Sequence, residues 1–504
     1  MRKETKWSAM ALAITLTAGC FAGCGEKETE PEGGTSTTDI EISYWNAGLG
    51  TKWLDAVIEG FEKKYPEYNV YYTASASDTT ASFGLEDTDT VDLYMATEEY
   101  QQKYMEPLNE VLDTTVEGET KSIKEKFDAA YLKMEEVDGN YYNLTYGGGI
   151  LGFVYNKKMF EEAGITQVPR TTDEFVVACS KLYDNGNVPL CHYKPVGYYN
   201  FLMEAWYAQY EGVDAYYDFY ANPSKEKMLT EDGRHETIKV MEKIATPEFT
   251  LKGSNSTDHV SMQTKFLEGS CAMMLTGSWL SSEMTNSNKV GNFAMMKTPV
   301  ISSITDKLTT VKSEKTLRDL ILAIDNVTDG VETVDTYRSG EDYVVNGATV
   351  SAADWDYVKA ARNMMPDNCN AHSLYIPNYS NAKEGAKAFL KYFYSDEGYQ
   401  LYQDALHLTY PMSLDTAEMD TSEWNEFEKN QLQLRNTTEY SISNRIKNKH
   451  RIFIDGGTSA FTDYEFIRKM SSANEGDRVS SADVWKEMMT LVEEDYEIWE
   501  KSIK

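Results

Sequence analysis

Residues 40–46 read Ile-Glu-Ile-Ser-Tyr-Trp-Asn, and this stretch together with its downstream neighbours decides the fold. Apolar and polar side chains alternate, the period of a strand with one buried face. Gly48 and Gly50 then open a loop. Trp53, Leu54, Val57, Ile58 and Phe61 recur at helical spacing, and Tyr65-Pro66 stops that helix. Asn69–Ala74 reads as a second strand and Val91–Ala96 as another. Strand, helix and strand in this order predict a parallel sheet covered by helices, an α/β fold.

Further along, Tyr141–Phe160 sets Gly147, Gly148 and Gly149 between two apolar strands, which suggests a flexible crossing. A phosphate loop would need Gly-Lys-Ser/Thr directly after the glycines, and the sequence has none there. A helix and turn occupy 172–186. The stretch 197–220 is dense in aromatics, with Tyr198, Tyr199, Phe201, Trp206, Tyr207, Tyr210, Tyr216 and Tyr217. Ser270–Leu275 reads as a strand that runs into Thr276-Gly277-Ser278-Trp279, and Phe293–Met296 as another that ends at Pro299. Ser380 is placed to cap a helix with Ala386, Phe389, Leu390 and Phe393 on one face. A last helix starts near Ser480, with Trp485, Met488, Met489, Val492, Tyr496 and Trp499 at spacings of three and four. No fixed-period repeat is present.

The chain opens with Arg2 and Lys3, and Trp7–Gly23 carries no charge. Two sites close that run, Thr17-Ala18-Gly19-Cys20 and Phe21-Ala22-Gly23-Cys24. The pattern resembles a bacterial lipoprotein signal, whose cysteine becomes the lipidated, palmitate-bearing first residue. Apolar Phe21, three positions before Cys24, favours Cys24 over Cys20. A true membrane span with incidental cysteines is the alternative, but the run is short and bracketed by Lys6 and Glu26. Residues 25–39, rich in Glu, Pro, Gly, Ser and Thr, have little to bury and read as a linker. On this reading 1–24 is the signal, and the rest works on the outer face of the cytoplasmic membrane.

About 480 residues remain, too many for one core, so two or more domains are expected. With 41% apolar residues the chain fills real cores, and it is not a disordered protein. A net charge of −33 repels nucleic acid and anionic lipid, and argues for a neutral or cationic ligand. Tyrosine is overrepresented, 35 against 18 Phe and 9 Trp. A tyrosine ring offers an apolar face and a polar tip, as a sugar surface requires, although core and surface tyrosines account for the count equally well. Cys179, Cys191, Cys271 and Cys369 show neither CxxC spacing nor clustered histidines, so no metal site is visible and no cofactor is expected. Cys179 and Cys191 could pair in an oxidising exterior, but four buried free thiols are the favoured reading.

Several of these segments together resemble the family 1 extracellular solute-binding proteins, the maltose-binding-protein-like receptors of carbohydrate ABC importers. The resemblance rests on Tyr44-Trp45-Asn46, Phe61–Pro66, Asp92-Leu93-Tyr94, Tyr155–Ile165, Pro169–Phe175, Phe266–Ser270 with Gly277-Ser278-Trp279, and Ile376-Pro377 through Ser395–Gly398. It covers 40 to about 412; no motif alone is diagnostic, but their order and spacing are specific. It implies two α/β lobes joined by hinge strands, the type II periplasmic-binding-protein fold, with the ligand between the lobes. The implied first lobe is 40–146 plus 300–375, and the second 147–298 plus 378–504. Residues 301–365 look like an insertion and 413–475 like an atypical tail. Gly147, Gly148, Gly149, Pro299 and Pro377 fit the hinge crossings.

The resemblance also implies where the ligand sits, at loops after the C-terminal ends of strands. Trp45 and Asn46 end the first strand, and Thr97 and Glu98 come just after the next. Tyr146 flanks the hinge glycines. Trp279 is the leading candidate, since the family places a sugar-stacking aromatic there; a core Trp is the competing account. Tyr198, Tyr199 and Trp206 are further candidates, although one helix cannot aim all of its aromatics at the cleft. Tyr375 and Tyr410 come after predicted crossings. Asp92 fits a backbone-capping carboxylate better than a ligand contact.

Enzyme signatures are absent: there is no His-Glu-x-x-His, Gly-x-Ser-x-Gly or nucleotide fingerprint. Glu86–Thr90 resembles half a calcium loop but lacks its Gly and its closing Glu. The sequence therefore reads as a lipid-anchored, monomeric receptor that hands a sugar or oligosaccharide to ABC permease subunits. A peptide or polyamine receptor, a surface-anchored glycoside hydrolase and an adhesin or sensor module are the alternatives.

Overall fold

Ile40, Ile42 and Tyr44 point to one side of the Thr38–Trp45 strand and are fully buried, as their alternation predicts. In the computed structural model this strand pairs in parallel with Tyr68–Ser75, Thr38 opposite Tyr68 and Trp45 opposite Ser75. The structure describes residues 37–46, 48–75, 90–96, 104–194, 198–284, 287, 289–326, 334–369, 372–443 and 465–502. The signal with Cys20 and Cys24, most of the linker, Glu86–Asp89, Thr97 and Glu98 lie outside them.

The first-lobe sheet runs Tyr68–Ser75, Thr38–Trp45, Leu93–Ala96, Ser373–Tyr375, Leu144–Thr145. The Lys52–Lys64 helix lies over it and buries Trp53, Leu54, Val57, Ile58 and Phe61. Each such side chain contributes about 1.5–3 kcal/mol by leaving water. The turn between strand and helix is locked by side chains: Tyr44 Oη donates to the Gly50 carbonyl at 2.7 Å, and the Trp53 indole donates to Tyr44 Oη at 2.9 Å. Asp92 is structural. It accepts from the Glu41 amide at 3.0 Å and the Ser380 hydroxyl at 2.6 Å.

The second-lobe sheet runs Phe293–Met295, Leu151–Asn156, Met273–Gly277, Leu190–Cys191. Phe153 packs on Phe175 of the Thr172–Asp184 helix at 4.5 Å. The Tyr199–Glu211 helix is buried on nearly every side. The last helix, Ser481–Ser502, lies along Gly233–Ile244, with Trp485 stacked on His235.

Two segments differ from the implied lobe assignment. Residues 300–362 belong to the second lobe, because Val300 donates to the Arg170 carbonyl, Ile301 to Gln209 Oε1, and Arg362 grips Asp325 beside Arg170. Within that stretch lie the Glu314–Asp325 helix, a three-stranded meander from Thr336 to Val350, and the Ala352–Arg362 helix. Conversely, the Lys383–Phe393 and Asp396–Leu406 helices return to the first lobe, where Phe389 packs on Phe61 at 5.3 Å. Pro299 and Pro377 are consequently not at crossings. The Pro299 carbonyl accepts from Trp206 inside the second lobe, and Pro377 bridges Met105 at the edge of the first.

Among the described residues the chain passes between the lobes at 146–150, around 367–369 and again at 413–425. The first two run side by side: Gly149 donates to Asn368 Oδ1 at 2.9 Å, and Asn368 donates back to the Gly149 carbonyl. Gly148 has φ +83°, and a Cβ there would stand 2.8 Å from Cys369 Cα, so only glycine fits. The third passage begins with Asp415 on Thr120 and ends in the Glu426–Asn436 helix. Arg435 from that helix pairs with Asp367 at 2.7 Å, both side chains buried. The next strand, Tyr440–Ile442, pairs in parallel with Met364–Pro366.

Candidate functional site

The three glycines of the first passage form a floor, and the ends of two strands rise on either side of it. On the first-lobe side the Thr38–Trp45 strand delivers Trp45, half-buried, with its ring stacked flat on His372 at 5.2 Å. Tyr146 supports it from below, donating its hydroxyl to the Trp45 carbonyl at 2.8 Å. Asn46 closes the loop by accepting from the Gly48 amide.

On the second-lobe side the Met273–Gly277 strand ends in Ser278 and Trp279. Trp279 folds back over Gly277, where a Cβ would stand within 2.1 Å of its ring. It is 5% exposed and packs with Leu151, Phe201 and Tyr198, the Tyr198 ring edge-on at 5.1 Å. Tyr198 continues into Tyr193 at 5.7 Å and His259 at 5.7 Å, so the wall is a band of rings.

Polar groups lie beside the band. Glu283, one turn after Trp279, accepts from Gln263 Nε2 at 2.7 Å and stands 4.0 Å from His259 Nδ1. It also reaches across the cleft: a Cβ at Gly48 would lie 3.1 Å from Glu283 Cγ and Oε1. Burial pushes the Glu283 carboxyl up to about 7. Burial, only partly offset by Asp258, pulls His259 down to about 4. Near neutrality the imidazole is therefore uncharged, and the two do not form an ion pair. His259 Nε2, Gln263 Oε1, Thr276 Oγ1 and Ser278 Oγ are buried with no hydrogen-bond partner among the described residues. Leaving such groups unpaired costs roughly 1–3 kcal/mol each, which a hydroxyl-bearing ligand would recover.

The structure brings Trp45, Asn46, Tyr198 and Trp279 to this cleft, with Tyr146 under it. The other described candidates are core residues. Tyr199 turns to Phe153 and His192. Trp206 is fully buried on the Pro299 carbonyl. Tyr375 stacks on Tyr94, and Tyr410 sits among Tyr399, Tyr402 and Phe393. Among the described residues, no group of three or more His, Cys, Asp or Glu could hold a metal ion.

The sequence model of the family described as "Bacterial extracellular solute-binding protein" matches residues 47–400. The chain belongs to this family. Solved structures agree on the two-lobed fold of a type II solute-binding protein. The GacH receptor of Streptomyces glaucescens superposes with a TM-score of 0.58 at 16% identity, over 91% of this chain and 99% of that one. RafE from Streptococcus pneumoniae gives 0.58 at 17%, over 93% and 99%. A curated relative from Brucella abortus (strain 2308), a binding protein by name, is 25% identical over 193 residues, 36% of this chain and 42% of its own. That match spans less than half the length of the relative. Family and neighbours are binding proteins, not enzymes. Among the described residues no helix is long and apolar enough to cross a membrane.

Sequence reasoning missed Glu283, Gln263, His259 and His372 in this solute-binding protein. Glu283 had a detectable signal, since it lies four residues after Trp279 and so shares its face of a short helix. Gln263 and His259 are themselves four apart on the His259–Leu267 helix.

Proposed function

We propose that this chain is the receptor of an ABC importer that captures a sugar or oligosaccharide between its lobes and delivers it to the permease subunits. The observation that carries the reading is the ring band of Trp279 and Tyr198 on one lobe and the Trp45–His372 stack on the other, beside buried polar atoms that lack partners among the described residues. A pyranose matches both halves. Its C–H face packs on the rings, and its hydroxyls satisfy His259 Nε2, Gln263 Oε1 and Ser278 Oγ. Similar proteins supply a consistent frame: the galactopyranose-preferring receptor AcbH, a chitin oligosaccharide binding protein, and RafE in complex with raffinose. Transport energy comes from an ATPase elsewhere, and the receptor acts as a monomer.

Thermal-shift screening against galactosides, chito-oligosaccharides, malto-oligosaccharides and raffinose-type sugars tests this. A cognate sugar at about a hundred times its Kd adds roughly 2.7 kcal/mol of stability. No shift with any neutral glycan, but a shift with a peptide or polyamine, would replace the reading. We also place the protein on the outer face of the membrane through a lipid on Cys24, or on Cys20. Serine at both positions should release it or leave the signal uncut. Membrane fractionation of the double variant at mature size would sink that assignment.

A further inference from the structure

Cys191 ends the Leu190–Cys191 strand, and Cys271 lies just before Met273–Gly277, its parallel neighbour in the second-lobe sheet. Their sulfurs are 2.6 Å apart, and neither residue is exposed. Both are free thiols in this structure, and a small side-chain movement would bring them to the separation of about 2.05 Å found in a disulfide. The pairing weighed from sequence, Cys179 with Cys191, is not the one the fold brings together. The family is extracellular, and outside the cytoplasm thiols are not held reduced.

We propose that Cys191 and Cys271 form a disulfide in the exported protein. Two thiols become one S–S bond, with loss of two protons and two electrons. The electron acceptor is another disulfide, of a small molecule or of a thiol oxidoreductase. One cysteine thiolate attacks it and releases a thiol; the second cysteine then displaces the other, leaving two reduced thiols. Both sulfurs are covered in the folded lobe, and burial raises the Cys191 thiol far above its usual range. The exchange therefore takes place while the chain folds, before the two strands close over the pair.

The bridge spans 80 positions, and the loop it closes holds Tyr193, Tyr198, His259 and Gln263. It ties the start of the aromatic band to the strand that delivers Trp279. A cross-link closing so long a loop removes much of the unfolded chain's freedom. This inference does not rest on the ligand being a sugar.

The test folds the full chain in oxidised and, separately, in reduced glutathione. Each sample is denatured, alkylated without reductant, digested and mass-mapped. The expected result in the oxidised sample is a peptide pair linked through Cys191 and Cys271, with Cys179 and Cys369 alkylated, and a melting point several degrees above that of the reduced sample. Alkylated Cys191 and Cys271 in the oxidised sample, or either one linked to a different cysteine, would overturn the bridge. Equal melting points with the bridge present would overturn its stapling role.

Discussion

Glu283→Gln should leave the empty protein unchanged in acid and stabilise it above neutral pH. An unfolded glutamate titrates near 4.5, and the folded one at about 7. Below 4.5 both states hold the proton, so the carboxyl costs nothing. Between these values only the folded state holds it, and stability falls as pH rises. Above about 7 both are ionised, and the burial penalty on the carboxylate is complete. A rise of roughly 2.5 units at about 1.36 kcal/mol each gives a penalty of about 3 kcal/mol. The amide keeps an oxygen for Gln263 Nε2 and carries no charge to desolvate, so the variant escapes the penalty. Melting curves of both proteins from pH 4.5 to 8.5 should diverge progressively, by several degrees at the alkaline end. Parallel curves across that range would refute the buried-carboxylate account of the cleft. In ligand titrations the wild type should gain affinity through pH 7 as the carboxylate becomes a stronger acceptor, and the variant should not.

Trp279→Ala removes a ring that is 5% exposed and packed on Leu151, Phe201 and Tyr198, so it should lower stability by about 3–5 kcal/mol as well as weaken binding. Calorimetric titration beside a melt of the empty protein reads both, and unchanged melting would place the ring outside the packed band. Arg435→Met leaves Asp367 buried without its cation, which should cost about 3–5 kcal/mol. The double variant Arg435→Met/Asp367→Leu should recover much of this in denaturant unfolding. If the double variant is as unstable as the single, the pair is not the source of the loss.

Local structure was legible where burial has one period. The alternation at 40–44 and the helical stripe from Trp53 to Phe61 sit as their spacing predicts. Lobe membership was not, because an apolar stripe says that a helix is covered and not by what. Phe389 and Phe393 show a clear stripe, yet only the folded chain puts them on the first lobe instead of the second. The cleft was half legible. Trp45, Tyr198 and Trp279 stand at strand or helix ends, where side chains face the gap. Trp206 and Tyr199 sit on a helix buried all round, where an aromatic carries no directional signal. His259 and Gln263 carry no such signal in sequence, and it is the neighbouring rings that leave Gln263 buried and His259 and Glu283 half-buried.

The stretch matched by the family's sequence model ends at residue 400, inside the Asp396–Leu406 helix, while packed structure continues beyond it. The next forty or so residues supply the third passage between lobes, the strand beside Met364–Pro366 and the arginine that neutralises Asp367. A truncation drawn at that boundary would sever a packed helix and leave Asp367 charged and uncompensated next to Asn368 and Gly149. Expression trimmed to the matched region should yield aggregates, and any fusion meant to preserve lobe motion belongs after the Ser481–Ser502 helix.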